Sequence, residues 1–388
     1  MRQTIQRCGY SILTIALTAM ASVAGDPTPD LVSAPKPVAP ALVREEVPPM
    51  PLIPDRFSVP RAADSTGGFY AGGGVLLLSP YINNNTAFTV INPPVPSAPG
   101  AFPLAVASAR TVPFNWNCEP GWQAWAGWSS ECGWGAQARV FVFDHSSDQL
   151  TLTTAPGAIP PIVTVPDIIP AIPGTAAFAA PSSILGAAGI GTDRLVFSSD
   201  LQICSADFEA TYKWCAPDCL ARVSGGLRVM SIKHGYHALL TNPGDGVTSE
   251  FQRLDANADF NGAGPTVGLF LRKGLCDCGL AAYGNVRGSI VFGQVERTAA
   301  YAQDVNDPTL VGLVGSSQTR TRFDERADCV VTVGEIELGL EYETCVYGKR
   351  LFVRGGVVGQ TYLGAGSASS STGNLGMLGG TASIGVNY

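Results

Sequence analysis

The chain has 388 residues and a formal net charge of −7, and 46% of its residues are hydrophobic whereas only 14% are charged. An ordinary soluble domain has roughly 25% charged residues, so part of this chain is expected to be solvated by something other than water. The acidic balance argues against nucleic acid as a partner.

The first 24 residues have the features of a secretory signal peptide. Arg2 and Arg7 precede the apolar run YSILTIALTAMASVAG, in which Ser22 and Ala24 are small residues of the type that signal peptidase requires. The run of about 16 residues is shorter than the roughly 20 of a spanning helix, although an uncleaved anchor helix remains the alternative. We expect residues 1–24 to be removed, which changes the formal charge from −7 to −9.

Residues 25–64 are rich in proline, as in the stretch APKPVAPALVREEVPPMPLIP. Proline at this density prevents helix and sheet, so this segment is predicted to be a disordered linker with polyproline II character. We expect one folded domain, at residues 65–388.

That domain alternates apolar and polar residues with period two, the spacing of β strands. Between Ala206 and Trp214, for example, Asp207, Glu209 and Lys213 share one face, while alanine and aromatic residues form the other. The segments with this pattern, in chain order, are GGFYAGGGVLLLSPY, GWQAWAGWSS, GWGAQARVFVF, ADFEATYKW, LARVSGGLRVMSI, GPTVGLFLR, GLAAYGNVRGSIVFG, VVTVGEIELGLEYE, LFVRGGVVGQTY and GGTASIGVNY.

The connections between these segments alternate in length. Short turns (EC, CAPDC, KGLCDC and CVYGKR) alternate with long connections at residues 83–113, 145–195, 235–252, 297–326 and 363–374. An even number of strands of about 9 to 11 residues, with apolar exteriors, is typical of outer-membrane barrels, and a sheet in lipid must close to satisfy its backbone. We therefore predict an all-β fold, a closed up-and-down antiparallel transmembrane β-barrel of about ten strands, twelve being possible, with short periplasmic turns and long extracellular loops.

A soluble β-sandwich is the alternative fold, because its inner faces also alternate. The predicted strands are longer than the usual five or six residues of globular proteins. Aromatic residues also gather at the strand ends, as at Trp128, Trp214 and Tyr388, where an interfacial girdle would lie. Both observations favour the barrel.

Three blocks resemble the Legionella-type pore-forming major outer-membrane protein family: SADFEATYKWCAPDCLARVSGGLRVMSI, ADFNGAGPTVGLFL and VGEIELGLEYETCV. The resemblance extends over residues 67–388, and the Pro/Ala-rich insertion at 147–183 departs from it. It implies an outer-membrane barrel that forms pores, in a Gram-negative-type cell, and it supplies no catalytic residues.

Cysteines lie in or beside the short turns, where an oxidising compartment would favour disulfides at the periplasmic rim. Cys215 and Cys219 flank a turn tight enough for a bridge. A zinc cluster is disfavoured, because the sequence has no Cys-x-x-Cys pair and no histidine near these turns. The disulfide candidates are Cys132, Cys215, Cys219, Cys276, Cys278 and Cys345.

The three histidines, His145, His234 and His237, are predicted to lie on or near the long loops. HGYH resembles a metal-binding pair, but two histidines in a mobile loop are more often solvated polar residues. No recognisable motif combines a nucleophile, a base and an orienting acid. We expect no metal, no cofactor and no enzymatic activity.

The polar faces of the strands are predicted to line the lumen, and their charged residues are the candidate site. An ion-pair ladder that fills the interior is the plainer interpretation, and a charged constriction that selects ions is the alternative. We expect the ladder for most of them, because narrow barrels are filled by side chains. The predicted pore-lining residues are Asp207, Glu209, Lys213, Arg222, Arg228, Arg272, Arg287, Glu335, Glu337, Glu341, Glu343 and Arg354.

The register of two hairpins predicts which of these residues face each other. Asp207 is expected opposite Arg228, Lys213 opposite Arg222, and Glu341 opposite Arg354, at a Cβ separation of about 4.5 to 5.5 Å. On their hairpin Glu335, Glu337 and Glu343 have no basic residue opposite, which predicts a surplus of carboxylates and a weak preference for cations.

Two functions remain open from the sequence. The first is a porin-like passive diffusion channel for small solutes or ions, and the second is a plugged structural or adhesive protein that acts through its Pro/Ala-rich surface loops. In both cases the partners are outer-membrane lipid and the insertion machinery, which would recognise the C-terminal Tyr388 and the alternating apolar residues before it. The oligomeric state is left open.

Overall fold

The computed structural model describes residues 67–83, 85–92, 108–153, 162–164, 194–216, 219–242, 249–276, 278–306, 316–346, 349–368 and 373–388. The predicted signal peptide at 1–24 and the linker at 25–64 lie outside the described residues, as do 154–161 and 165–183 of the predicted insertion at 147–183. In the described part of the chain no helix is long and apolar enough to cross a bilayer.

Ten strands form the barrel. They are β1 (Gly68–Ile82), β4 (Glu119–Ser129), β5 (Trp134–Ser146), β8 (Arg194–Ala216), β9 (Cys219–Asn242), β10 (Ser249–Gly274), β11 (Leu280–Asn306), β12 (Ser316–Val346), β13 (Lys349–Leu363) and β14 (Asn374–Asn387). Four shorter strands lie in the long connections: β2 (Thr86–Asn92), β3 (Ser108–Pro113), β6 (Leu150–Thr153) and β7 (Ile162–Thr164).

The ten strands close into a ring of antiparallel pairs. β1 pairs with both β4 and β14, the other barrel strands pair in chain order, and the β5–β8 pair completes the ring. The first and last barrel strands meet at the short-turn end, where Tyr388 donates its backbone N–H to the carbonyl of Phe69 at 2.8 Å. The predicted closed antiparallel barrel of about ten strands is confirmed.

Two of the short turns use a glycine in the left-handed region. Gly133 has a φ of 91° and accepts the N–H of Lys213 at 2.8 Å, and Gly279 has a φ of 84° and accepts the N–H of Glu343 at 2.9 Å. Each turn thereby continues the ladder of the next strand. Glycine adopts this conformation without a steric penalty, so another residue would strain both turns.

The outer face of the barrel carries an apolar belt. On β12 its side chains run from Val330 to Tyr342, each about half exposed. At about 3.4 Å per residue and a tilt of about 40°, these twelve steps span about 30 Å along the axis, the thickness of the hydrocarbon core of a bilayer. An exposed apolar surface of this extent is typical of the outer face of a membrane barrel, since soluble monomers expose only small patches.

The strands β8 to β12 are much longer than the predicted 9 to 11 residues. β10 has 26 residues and β12 has 31. The predicted long loops at 235–252 and 297–326 are therefore wrong over most of their length, because β9 reaches Asn242 and β10 starts at Ser249, while β11 reaches Asn306 and β12 starts at Ser316. We call the part of these strands beyond the belt the upper wall.

Two clusters of apolar side chains fill the barrel interior on the long-loop side of its inward charged residues. The first, the lumen core, lies within the belt and consists of Leu76, Leu78, Phe141, Phe143, Leu201, Ile203, Met230, Ile232, Phe260, Val291, Val331, Val333, Val358, Tyr362, Leu375 and Met377. The second, the surface core, lies inside the upper wall and includes residues of the long connections. Its members are Ala87, Phe88, Phe114, Leu195, Phe197, Tyr236, Ala238, Leu254, Ala256, Ala299 and Ala368.

Candidate functional site in the barrel lumen

Strand alternation puts all twelve predicted pore-lining residues on the inward face. On β8, Asp207 and Glu209 are buried, whereas Phe208 between them is 49% exposed on the outer face. On β12, Glu341 is buried, whereas Leu340 and Tyr342 point outward. That these residues line a conducting pore stays a prediction.

Six of the inward residues form a buried assembly that we call the central ion network: Arg139, Asp207, Glu209, Arg228, Arg287 and Glu335. Arg228 is its hub, with its Nε 2.6 Å from Asp207 Oδ1 and its Nη2 2.6 Å from Glu335 Oε1. The predicted Asp207–Arg228 pair is confirmed. Arg228 is 1% exposed, and its buried charge compensates both carboxylates together with Arg139 and Arg287.

The central ion network crosses the lumen. Arg139 Nη1 on β5 lies 2.8 Å from Glu335 Oε2 on β12, and these two strands stand on opposite sides of the ring. Arg287 on β11 reaches both Asp207 and Glu209 on β8. Side chains from five strands therefore meet in the lumen.

The sequence prediction missed Arg139 and Gln137 as members of this site. Gln137 donates a short hydrogen bond to Glu209, and Arg139 pairs with Glu335. A signal was present, because both residues share the polar face of the GWGAQARVFVF strand. Their role in the site becomes clear only in the closed ring, in which β5 lies across the lumen from β12.

A second assembly, the short-turn cluster, lies nearer the short turns and consists of Arg272, Glu341, Glu343, Arg350 and Arg354. Glu341 lies 2.5 Å from Arg354 Nε, which confirms the predicted pair, and also 2.5 Å from Arg272 Nε. Glu343 lies 2.8 Å from Arg272 and 3.3 Å from Arg350. The partners that the hairpin alone did not supply come from the neighbouring strands.

The predicted surplus of carboxylates in the lumen is therefore wrong. Glu335 is paired with Arg139 and Arg228, and Glu343 is paired with Arg272 and Arg350. Of the three glutamates expected to lack a partner, Glu337 alone accepts its hydrogen bond from a neutral group, the hydroxyl of Tyr283, at 2.8 Å. The basis for cation preference is lost with the surplus.

Lys213 and Arg222 lie opposite each other in the strand register, as expected. Both are cations, so they do not attract each other. The guanidinium of Arg222 lies between two aromatic rings, 5.1 Å from the centre of Tyr70 and 5.2 Å from that of Phe270. Aromatic faces attract cations, which explains this position without a carboxylate.

The predicted rim cysteines do lie at the short-turn end, but the structure bonds only one pair of those that it describes, Cys276 with Cys278. Cys132, Cys215, Cys219 and Cys345 are exposed thiols, and the suggested Cys215–Cys219 bridge is not formed. Among the described residues no His, Cys, Asp and Glu cluster could hold a metal ion. That the chain is not an enzyme stays a prediction.

The histidines of HGYH are not in a mobile loop but in β9, within the upper wall. His234 points inward and is buried, where its Nδ1 accepts the N–H of Ala368 at 2.7 Å and its Nε2 contacts Ser199 Oγ at 3.1 Å. Burial lowers the pKa of His234 to about 4. His237 points outward, and its hydrogen bonds to Asp200 and Asp255 raise its pKa to about 9, against the effect of burial.

A closed ring with an apolar belt and a side-chain-filled lumen defines a membrane-spanning β-barrel. Residues 217–378 match the family model described as the Legionella pneumophila major outer membrane protein precursor, which confirms the resemblance over that part and agrees with an outer-membrane location. The match is shorter than the range of 67–388 over which the resemblance was expected. The comparison with curated proteins gives no match.

The comparison with solved structures gives several matches with low TM-scores. They include the outer membrane protease OmpT from Escherichia coli (9% identity, 83% of this chain and 96% of that chain, TM-score 0.33) and a Pseudomonas aeruginosa FadL homologue (9% identity, 83% and 90%, TM-score 0.23). The P. putida toluene transporter TodX is 7% identical over 83% of this chain and 90% of that chain, with a TM-score of 0.22. These scores are too low for any conclusion about this chain.

Proposed function

We propose that this protein is a structural outer-membrane barrel with a closed lumen, which presents its long connections at the cell surface. The observation that supports this most directly is the lumen core. Nearly every barrel strand contributes a buried apolar side chain to it, and β4 places Gly121 at the same level, against the ring of Phe141. A packed apolar layer across the whole lumen excludes water and ions.

The upper wall adds a second closure. Phe88 of β2 stacks on Phe197 of β8 with ring centres 4.7 Å apart, and the hydroxyl of Tyr236 donates to the carbonyl of Ala87 at 2.7 Å. Residues of the first long connection thereby fill the long-loop end of the lumen. This arrangement favours a plugged barrel over a channel.

A porin-like diffusion channel is the second candidate. The charged residues in the part of the lumen nearer the short turns favour it. For conduction, the side chains of the lumen core would have to move aside. Insertion would depend on the outward-facing residues of the C-terminal strand and the tyrosine that follows it, as the surface that the insertion machinery recognises; Ile384 is 54% and Tyr388 is 62% exposed.

Conductance in planar bilayers tests the closed lumen. The unmodified protein should give no steady channel, whereas combining Phe141→Ala, Phe260→Ala and Met377→Ala should give one, because it removes bulk from three sides of the lumen core. The matched control combines Phe208→Ala, Leu338→Ala and Leu378→Ala, which face lipid, and should remain silent. A steady channel in the unmodified protein would overturn the proposal in favour of the diffusion channel.

A further inference from the structure

A cavity of about 50 Å³ lies in the lumen between the central ion network and the short-turn cluster. One water needs about 10 to 15 Å³ in this measure, so the cavity has room for a few waters or one small ion. Its lining is polar and rich in hydrogen-bond donors, among them Gln137, Arg222, Ser224, Asn285, Arg287 and Ser383, and its carboxylate, Glu337, accepts a hydrogen bond from the hydroxyl of Tyr283. We propose that this cavity binds one small oxyanion, of the class of inorganic phosphate.

The first argument is the charge state of Arg222. Every other arginine of the cavity lining, namely Arg139, Arg287 and Arg354, is neutralised by a carboxylate within the central ion network or the short-turn cluster. Arg222 contacts the rings of Tyr70 and Phe270 and interacts with the hydroxyl of Tyr70, and Glu209 acts on it only at longer range, because the ion pairs of the described residues give it no carboxylate. Arg354 lies against the same Phe270 ring at 4.9 Å, so two guanidinium groups are held near each other beside the cavity.

The second argument is an unused donor. Arg287 is only 6% exposed, yet its buried Nε–H has no acceptor among the described residues. A buried donor without a partner is costly, and its presence beside a polar cavity indicates an acceptor that the polypeptide itself does not supply. An oxyanion in the cavity would provide such an acceptor.

The third argument is the charge balance of the lower lumen, by which we mean the lumen from the central ion network to the short turns. The inward basic side chains from the central ion network to the short turns are Arg139, Lys213, Arg222, Arg228, Arg272, Arg287, Arg350 and Arg354, and the acidic ones are Asp207, Glu209, Glu335, Glu337, Glu341 and Glu343. Among the described residues, these eight basic groups outnumber the six acidic groups. A bound anion lowers the mutual repulsion of the guanidinium groups.

The same lining selects the class of anion. Arginine forks and amide or hydroxyl donors suit an ion with several oxygen acceptors, such as phosphate or sulfate, better than a single-atom halide. The volume excludes nucleotides and sugars. Exposure of the lumen side chains rises toward the short turns, from 2% at Asp207 to 17% at Arg354 and 32% at Arg350, so the ion enters from that end. This route does not depend on whether the lumen core is closed.

The test uses the full chain refolded in a non-ionic detergent, with inorganic phosphate as the probe and sodium chloride at matched ionic strength as the reference. Phosphate should raise the Tm by a few degrees in a saturable way, because a ligand that binds only the folded state stabilises it. Arg222→Gln should weaken phosphate binding, measured by calorimetry, at least about tenfold, because a charge-assisted contact is lost. Arg253→Gln, at an exposed arginine on the outer face of the upper wall, is the matched control and should bind like the unmodified protein.

Ser224→Asp provides a second variant in case Arg222→Gln fails to fold. Its carboxylate, two residues along the same face from Arg222, should occupy the site, so this variant should be more stable without phosphate and should no longer respond to it. A phosphate response that is unchanged in Arg222→Gln or Ser224→Asp, or equal stabilisation by chloride, would overturn the proposal. Channel conductance plays no part in these readouts, so they remain decisive if the closed-lumen function fails.

Discussion

The part of the barrel inside the apolar belt, which we call the membrane zone, is built from the same strands as the upper wall. In the membrane zone the outer face of these strands is apolar, whereas in the upper wall the inner face is apolar. In the membrane zone of β9, Val223 and Leu227 face outward and Arg228 faces inward. In the upper wall of the same strand, Lys233 and His237 face outward while Tyr236 and Ala238 are packed inside. The register does not shift between the two zones. The apolar face simply follows the solvent, which is lipid outside one zone and water outside the other.

The lumen core lies between these arrangements, and there both faces of the wall are apolar. Val291 and Val331 point inward with 0% exposure, while Ile290, Phe292 and Val330 point outward into the belt. The lower lumen instead compensates buried charges with one another. The comparison indicates that the barrel is held by ionic contacts near the short turns and by side-chain packing above them.

The largest effect is expected where a charge is removed from the central ion network. Arg228→Gln leaves Asp207 and Glu335 short of their hub in a buried site, which should lower the free energy of unfolding by about 3 to 5 kcal/mol. Denaturant unfolding in lipid vesicles measures it. Arg326→Gln is the control, since its pair with Glu296 is exposed and is expected to contribute at most about 1 kcal/mol. Equal effects of the two substitutions would contradict the ionic character of the lower lumen.

A packing change in the lumen core should come next. Leu76→Ala removes a side chain that is 1% exposed and leaves a cavity, at a cost of about 2 to 5 kcal/mol. Leu378→Ala makes the same chemical change on the lipid face, where Leu378 is 70% exposed to the membrane and no cavity forms, so only a transfer cost of about 1 to 2 kcal/mol is expected. Unfolding of both variants in the same vesicles compares them. A cost at Leu378 as large as that at Leu76 would mean that the interior is loosely packed.

The strand order and the inward face could be predicted because period-two alternation in the membrane zone is strong, as in ADFEATYKW. The pattern predicts a loop in place of the upper wall because the outward residues there become polar, as at Gln294 and Glu296. The inner residues continue to alternate through Val295 and Ala299, which are buried. An alternation that persists while its apolar face changes sides indicates a strand that leaves the membrane.

The sequence also contains a pattern that indicates the filled lumen. The runs GVLLL, VFVF and SIVF are apolar at consecutive positions, which is the pattern of a strand buried on both faces. The contacts across the ring could not be predicted, because Arg139 and Glu335 are far apart in the chain and meet only when the barrel closes. That closure also explains why the predicted surplus of carboxylates was wrong.

The upper wall should respond to acid through His234. Its folded pKa of about 4 lies below the ordinary value of 6.5 because burial disfavours the charged ring. Between these values the unfolded state binds more protons, so stability present above pH 6.5 is lost as the pH falls toward 4, by an amount on the order of 3 kcal/mol. Protonation also places a second donor against the N–H of Ala368. Denaturant unfolding measured from about pH 7 to about pH 4 should show this loss, and His234→Gln should reduce it. An unchanged slope in the variant would assign the loss to other groups.

His237, three residues further along β9, should respond in the opposite direction and more weakly. Its folded pKa of about 9 lies above 6.5 because Asp200 and Asp255 both accept hydrogen bonds from the ring. Its contribution to stability is therefore complete below pH 6.5 and is lost as the pH rises through 9. The side chain of His237 is 40% exposed, so solvent screening should keep the effect near or below about 1 kcal/mol. The difference in unfolding free energy between the unmodified protein and His237→Gln should accordingly be measurable near pH 6, vanish near pH 10, and shrink at high salt. A difference that grows with pH would mean that the two carboxylates, and not the charge on His237, govern this face of the upper wall.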